Sequence, residues 1–236
     1  MDFSIKAFDT KNTITSAKTG CVAVAVFENK KMSQAAKALD QGGEIAAALK
    51  SGDITGKAGS TLMLRGVSGA NAARVLLVGM GSDEAISEKS FTSAVTAALK
   101  TFATIGSTDA IIALPMTDVK DRDASWAVRC VVIAANESEF RTDAQKSKKD
   151  PAPAGVRKIT LATAASAEVK TSLAQAIAIA NGMNLTKELG NLSPNVCTPT
   201  YLANLAKQMG KDYKFEVEVL ERKQLTTDLS PQDAVA

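Results

Sequence analysis

Acidic residues are the first candidates for chemistry in this sequence, because carboxylates that converge on a divalent ion can activate a water molecule. Asp121 and Asp123 form a DxD pair that could bind a cation weakly. The interpretation we prefer places them at a helix start, where acidic side chains complement the macrodipole. The sequence has no histidine, which excludes Ser-His-Asp catalysis, Cys-His catalysis and histidine-ligated zinc within this chain. We assign no catalytic residue and no metal ligand to it.

A glycine-rich turn is the candidate for phosphate binding. Gly79-Met80-Gly81 follows the apolar run 75–78, and a strand that ends in GxG before a helix resembles a phosphate-binding turn. The third glycine of a GxGxxG motif would fall at Glu84, and an acidic side chain there repels a pyrophosphate. We therefore prefer a tight turn over nucleotide binding.

Four basic residues are the candidates for contact with DNA or an acidic partner. Arg141, Lys146, Lys148 and Lys149 lie in residues 136–155, which show no periodicity and are predicted to form a loop. No aromatic residues alternate with the basic ones to stack on bases, and the whole chain carries a net charge of only +3. A solvated loop is the more common meaning of such a run.

The cysteines and the apolar runs indicate in which cellular compartment the protein is expected. Cys21, Cys130 and Cys197 lie far apart without a CxxC motif, which predicts free thiols, buried or structural, in a reducing compartment. No apolar run approaches the roughly 18 residues of a membrane-spanning helix. The first residues, MDFSIKAFDTKN, lack the apolar region of a secretory signal. A cytoplasmic protein without membrane contact is expected.

Strand and helix patterns alternate along the chain. The continuous apolar run 21–27 predicts a strand that is buried on both faces, and residues 91–102 repeat apolar side chains at helical spacing. Further strands are predicted at 3–7, 62–64, 75–78, 109–114, 158–162 and 215–219, and further helices at 32–39, 44–49, 124–135, 167–190 and 201–209. This alternation indicates an α/β domain with helices on both faces of the sheet.

Residues 177–210 are predicted to form the end of a long helix, a proline-containing elbow and a second helix. Gly190 marks the end of the first helix, while Thr198 and Pro199 fit the N-cap and the first position of the second. Within this stretch Asn184-Leu185, Glu188-Leu189, Asn191 and residues 193–202, SPNVCTPTYL, closely resemble the segment that joins the two domains of the leucyl aminopeptidases. Residues 52–81 and 140–149 carry further specific similarity to this cytosol-aminopeptidase family of two-metal exopeptidases.

The resemblance implies a domain plan. It implies a macro-domain-like mixed sheet flanked by helices in residues 1–165, a linker helix, elbow and helix in residues 166–210, and the start of the catalytic domain in residues 211–236. The metal-binding segments of the family, a lysine-bearing segment followed by an aspartate and an Asn-Thr-Asp-Ala-Glu-Gly-Arg motif, do not occur in this sequence. The residues after Leu225 depart from the family pattern, so the catalytic C-terminal half is expected to be absent.

The resemblance also implies a function. The parent protein would remove N-terminal amino acids from peptides with two divalent metals, Mn or Zn, and would assemble as a hexamer. This chain would serve assembly and access to the active site, and we expect it to be inactive alone. Two alternatives stay open: a stand-alone module that binds a nucleotide or DNA, since some members of the family bind DNA, and a truncated product that folds in part and aggregates.

Overall fold

One six-stranded sheet organises the first part of the chain. A computed structural model of the protein describes residues 1–8, 13–142, 146–148, 155–222 and 224. The strands in these residues are β1 (Asp2–Lys6), β2 (Val22–Val26), β3 (Thr61–Leu64), β4 (Val75–Gly79), β5 (Asp109–Ile112) and β6 (Lys158–Ala162). The α-helices are α1 (Gln34–Leu39), α2 (Glu44–Ser51), α3 (Glu88–Phe102), α4 (Ala124–Glu139), α5 (Ala167–Asn191) and α6 (Pro199–Tyr213).

The strands lie in the order β1-β6-β5-β2-β4-β3. All neighbouring pairs are parallel except β3 and β4, which are antiparallel. The sheet is therefore mixed, and the α/β class expected from the alternating patterns is confirmed. β1 lies at one edge of the sheet.

The central strand β2 faces two cores. Because successive side chains in a strand point to opposite faces, Val22, Val24 and Val26 pack into one apolar cluster, while Ala23 and Ala25 pack into the other. The valine cluster contains buried side chains of α1 and α2, and the alanine cluster contains those of α3, α4 and α5. Helices thus cover both faces of the sheet, as expected.

Side chains cap the starts of α3 and α4. The hydroxyl of Ser87 accepts a hydrogen bond from the backbone N–H of Ser90 at the start of α3. The carboxylate of Asp123 accepts one from the N–H of Trp126, 2.8 Å away, at the start of α4. Such caps satisfy backbone donors that have no partner inside the helix. The predicted apolar face of residues 91–102 is confirmed, because its members are the buried residues of α3: Phe91, Ala94, Val95, Ala98, Leu99 and Phe102.

The predicted end of β5 and the predicted start of the loop after α4 are wrong. The strand predicted at 109–114 ends at Ile112, because Leu114–Met116 form a 3-10 turn that contains Pro115. The loop predicted to begin at residue 136 begins after the last turn of α4, which continues to Glu139. Polar side chains hid this turn from the pattern of apolar residues, although one of them, Asn136, is half-buried.

The strand predicted at 215–219 is also wrong, since these residues have no regular secondary structure. Lys214 adopts a left-handed conformation with φ of 59° and ends α6. The chain then folds back on that helix, where the N–H of Phe215 donates to the carbonyl oxygen of Gly210, 3.1 Å away. Without a neighbouring strand to pair with, an alternating sequence does not form a strand.

The chain divides into two compact units. The first unit comprises Met1–Leu185 and contains the sheet and both apolar clusters. The second comprises Thr186–Ala236 and contains the end of α5, the elbow and α6. A search of the described helices finds none that is long and apolar enough to cross a membrane.

Gly56 is expected to be intolerant of substitution. Its φ is +76°, and a Cβ atom there would lie 2.2 Å from the carbonyl carbon and oxygen of Phe27. Gly56→Ala should therefore lower the free energy of unfolding by about 3 kcal/mol or more. Denaturant unfolding followed by the fluorescence of Trp126, the only tryptophan, measures the change.

Gly43 provides the matched control. Its φ is +80°, but nothing lies within 4 Å of the position of an added Cβ. Gly43→Ala therefore carries only the conformational cost of about 1–2 kcal/mol. Equal effects of the two substitutions would contradict the close backbone contact at Gly56.

Cys21 is expected to resist alkylation in the folded protein. Burial raises the pKa of the Cys21 thiol from 9.0 to about 12, and the thiolate is the reactive form. At pH 8.5 iodoacetamide should therefore modify the half-buried Cys130 and Cys197 before Cys21, as mass spectrometry of the peptides can follow. If Cys21 were modified as fast as Cys130 and Cys197, its thiol would be accessible to the reagent. That result would contradict the burial of Cys21 next to β2.

Candidate functional site

The elbow between α5 and α6 is built from local hydrogen bonds. The side-chain amide of Asn191, the last residue of α5, donates to the carbonyl oxygen of Lys187, 2.7 Å away. The backbone N–H groups of Val196 and Cys197 both donate to the carbonyl oxygen of Ser193, each over 2.9 Å. These bonds turn the chain sharply after α5 and fix where the next helix begins.

The predicted start of α6 is confirmed. The hydroxyl oxygen of Thr198 accepts a hydrogen bond from the N–H of Tyr201, 3.2 Å away, and Pro199 occupies the first helical position. Proline is well placed there, because its missing N–H would have no partner in the first turn. The helix runs four residues beyond the predicted end at residue 209, to Tyr213.

Exposed apolar side chains concentrate in the elbow, in α6 and in the residues after α6. Among the described residues, the first unit exposes only two large hydrophobic side chains, Met116 and Ile179. Six others, 39% to 71% exposed, lie within residues 196–220 and are called here the exposed apolar set: Val196, Tyr201, Leu202, Tyr213, Phe215 and Leu220. Single exposed hydrophobic residues are normal, and among the described residues the second unit contains most of the large ones.

A reciprocal amide pair joins α4 to α5 within the first unit. The side-chain amide of Asn136 donates to Oδ1 of Asn184, 2.8 Å away, and that of Asn184 donates back to Oδ1 of Asn136, also over 2.8 Å. The same amide of Asn136 lies 3.2 Å from the carbonyl oxygen of Ala180, to which it also donates. The sequence patterns did not predict this pair, although Asn184 interrupts the apolar stripe of the long helix and thereby gave a signal for it.

The glycine turn after β4 is a structural turn, because its backbone donors are already used. The N–H groups of Gly79, Met80 and Gly81 donate to carbonyl oxygens of Ser60, Val26 and Gly56 at 2.8–2.9 Å. A phosphate-binding turn presents such donors to the ligand instead. The tight-turn interpretation therefore fits this geometry, and the turn offers no support for nucleotide binding.

Two residues just beyond the strands at the sheet's topological switch point are buried and apolar. Open α/β sheets bind ligands outside the carboxyl ends of two neighbouring strands whose connections leave in opposite directions. Here these strands are β2 and β5. Phe27, which follows β2, and Leu114, which lies two residues after β5, are 7% and 0% exposed and belong to the alanine cluster.

The two aspartates of the DxD pair lie at the start of α4 and just before it. Asp123 caps α4, and Asp121 adopts a left-handed backbone with φ of 57°. Between them Arg122 is paired with Glu88 through an Nη2–Oε1 contact of 2.6 Å, and its guanidinium lies 5.7 Å from the centre of the Trp126 ring. The helix-start interpretation is confirmed for Asp123.

The structure describes three of the four basic candidates, and it forms no metal-binding group among the described residues. Among the described residues, no group of three or more His, Cys, Asp or Glu side chains is placed to hold a metal ion. Arg141, Lys146 and Lys148 are exposed, and Lys149 lies outside the described residues. Contact of these residues with DNA or an acidic partner stays a prediction.

Known proteins resemble this chain over almost its whole length. A family model described as the cytosol aminopeptidase family, N-terminal domain, matches residues 23–149. A probable cytosol aminopeptidase of Herminiimonas arsenicoxydans is 61% identical over 227 residues, which cover 95% of this chain and 45% of that protein. The chain thus spans about half the length of the curated relatives it matches.

Solved structures agree in fold. A mutant of tomato leucine aminopeptidase superposes with a TM-score of 0.72 at 24% identity, over 95% of this chain and 46% of that one. The bottromycin maturation enzyme BotP in complex with Mn superposes with a TM-score of 0.66 at 18% identity, over 88% and 40%. At these identities the likeness shows a shared fold alone.

The amide pair is expected to be energetically coupled. Asn136→Ala leaves the half-buried amide of Asn184 without its partner and should lower the free energy of unfolding by about 1–2 kcal/mol, and Asn184→Ala should do the same. In the double variant the losses should fall short of their sum by about 1 kcal/mol. Denaturant unfolding of the four proteins measures this coupling, and additive losses would contradict the pair.

Asn191→Ala is the control for this cycle. The Asn191 amide is exposed and bonds only along its own helix to Lys187. Its removal should therefore change the free energy of unfolding by less than about 0.5 kcal/mol.

Proposed function

This chain belongs to the cytosol aminopeptidase family, and we propose that it is the N-terminal portion of a metal-dependent leucyl aminopeptidase that removes N-terminal amino acids from peptides. The observation that carries the proposal is the 61% identity to a probable cytosol aminopeptidase of about twice this length. The family resemblance expected from the elbow sequence is thereby confirmed, and the stand-alone binding module is not supported.

The metals of the proposed enzyme, two divalent ions of Mn or Zn, would be bound outside this chain. The described residues do not fit them, because their carboxylates form no group of three or more. A manganese complex occurs with a protein of the same fold, which supports a metal-dependent reaction in the whole enzyme. No step of that reaction is assigned to residues of this chain.

We assign the chain a role in positioning and assembly. The exposed apolar set would pack against the remaining part of the polypeptide. The hexamer, the cytoplasmic location and the macro-domain-like description of residues 1–165 belong to the same proposal. A six-stranded mixed sheet with helices on both faces supports the last of these.

The chain alone is expected not to hydrolyse a leucine chromogenic amide, with or without added Mn²⁺ or Zn²⁺. A fusion of residues 1–222 to the remaining portion of the Herminiimonas arsenicoxydans relative should hydrolyse it and should lose activity in a chelator. The absorbance of the released amine measures both reactions.

Metal-dependent turnover by the chain alone would contradict the assignment of the metals to another part of the enzyme. A folded fusion without turnover would contradict the assignment of the chain to an aminopeptidase.

A further inference from the structure

Strand β3 forms the edge of the sheet opposite β1, and among the described residues no strand pairs with its outer side. Just before β3 begins, the carbonyl oxygen of Ser60 accepts a hydrogen bond from the N–H of Gly79 in β4, 2.8 Å away. Because bonded and non-bonded pairs alternate along an antiparallel ladder, the backbone groups of Thr61 and Met63 face away from β4. These two residues therefore offer N–H and C=O groups to a further strand.

The sequence of β3 does little to prevent such pairing. Edge strands are commonly protected by lysines, prolines or inward-pointing charges, because their unpaired backbone groups are a template for another chain. β3 reads TLML and contains neither a charged residue nor a proline. Its short length limits an added strand to a few residues.

A groove of about 790 Å³ adjoins this edge. Its lining includes Gly59 and Thr61 beside and in β3, and the outer face of α3. On the α3 side the lining is mostly polar, with the hydroxyl groups of Thr92, Ser93, Thr96 and Thr101. Since alternate side chains of a strand share one face, a strand added to β3 would direct every second side chain towards α3.

The charges of the groove favour an acidic occupant. Lys89 and Lys100 line it, are exposed, and form no ion pair or hydrogen bond with another described residue. They lie on the same face of α3, about three turns and about 16 Å apart, which is close to the length of five extended residues. Glu88 also lines the groove, but its Oε1 is paired with Nη2 of Arg122, 2.6 Å away. The two lysine charges are thus left uncompensated.

We propose that the edge of β3 and this groove bind an extended acidic segment of another polypeptide, which joins the sheet as an additional strand. The main chain of the segment bonds to Thr61 and Met63, and its carboxylates pair with Lys89 and Lys100. In this mode of recognition the main chain supplies affinity and alternate side chains supply specificity. The inference goes beyond the proposed function, because it uses no residue of the elbow or of α6.

The probe is a fluorescein-labelled peptide of about eight residues in which threonine and glutamate alternate, and fluorescence polarisation measures its binding to the whole chain. A peptide with lysine in place of glutamate should bind at least about tenfold more weakly. The double variant Lys89→Gln and Lys100→Gln should lose about tenfold in affinity for the acidic peptide. Lys37→Gln is the matched control and should bind normally, because Lys37 is exposed on α1, which packs on the other face of the sheet.

Thr61→Pro tests the pairing of strands. It removes an N–H that β4 does not use, and proline is tolerated at the first residue of an edge strand, so the protein should fold and bind the peptide at least about tenfold more weakly. Thr61→Val keeps the N–H and should bind as the unmodified chain does. Thermal unfolding identifies a Thr61→Pro protein that fails to fold. Peptides N-methylated at every threonine or at every glutamate then decide, since only one of the two should lose binding.

Two results would overturn the proposal directly: no saturable binding of the acidic peptide, or equal affinity for the acidic and basic peptides. Loss of binding in the lysine variant together with normal binding by folded Thr61→Pro would also overturn it. That combination would show a site for polyanions in general, without an added strand. Equal binding of the two N-methylated peptides would have the same meaning.

Discussion

Strand β2 is the element on which the rest of the first unit depends. Its five residues are fully buried and pair with β4 on one side and β5 on the other. The valines on one face and the alanines on the other set how closely each layer of helices can approach. The alanine face packs into the cluster that contains the largest fully buried side chains, Phe91 and Phe102. A slip of one residue would exchange these faces, so the register of the sheet is strongly specified.

The sequence predicted the elements in which apolar side chains form a continuous run or recur at helical spacing. β2 and α3 are examples, because burial on both faces or along one stripe leaves a local pattern. Residues 215–219 carry an equally clear alternation, yet they form no strand, because a strand also needs a partner that the alternation does not reveal. The last turn of α4 was missed for the opposite reason: its residues are polar, and its contacts are made with distant parts of the chain.

The candidate site likewise contains local interactions, which the sequence predicted, and contacts between distant residues, which it did not. The Thr198 cap and the elbow are local, and the sequence predicted them together with the family. The pair Asn136–Asn184 joins residues far apart in the chain, and a single sequence does not show which side chains meet. Three members of the exposed apolar set, Val196, Tyr201 and Leu202, lie within the family motif of residues 184–202.

We propose that residues 1–185 complete their own core, whereas the exposed apolar set is covered by the remaining part of the polypeptide. Hydrogen exchange in the chain alone and in the fusion with the relative's remaining portion tests it most directly. We predict unchanged exchange at the amides of β2, β4 and α3, and slower exchange at those of α6 and residues 215–220 in the fusion. Equal exchange of α6 and residues 215–220 in the two proteins would contradict the claim.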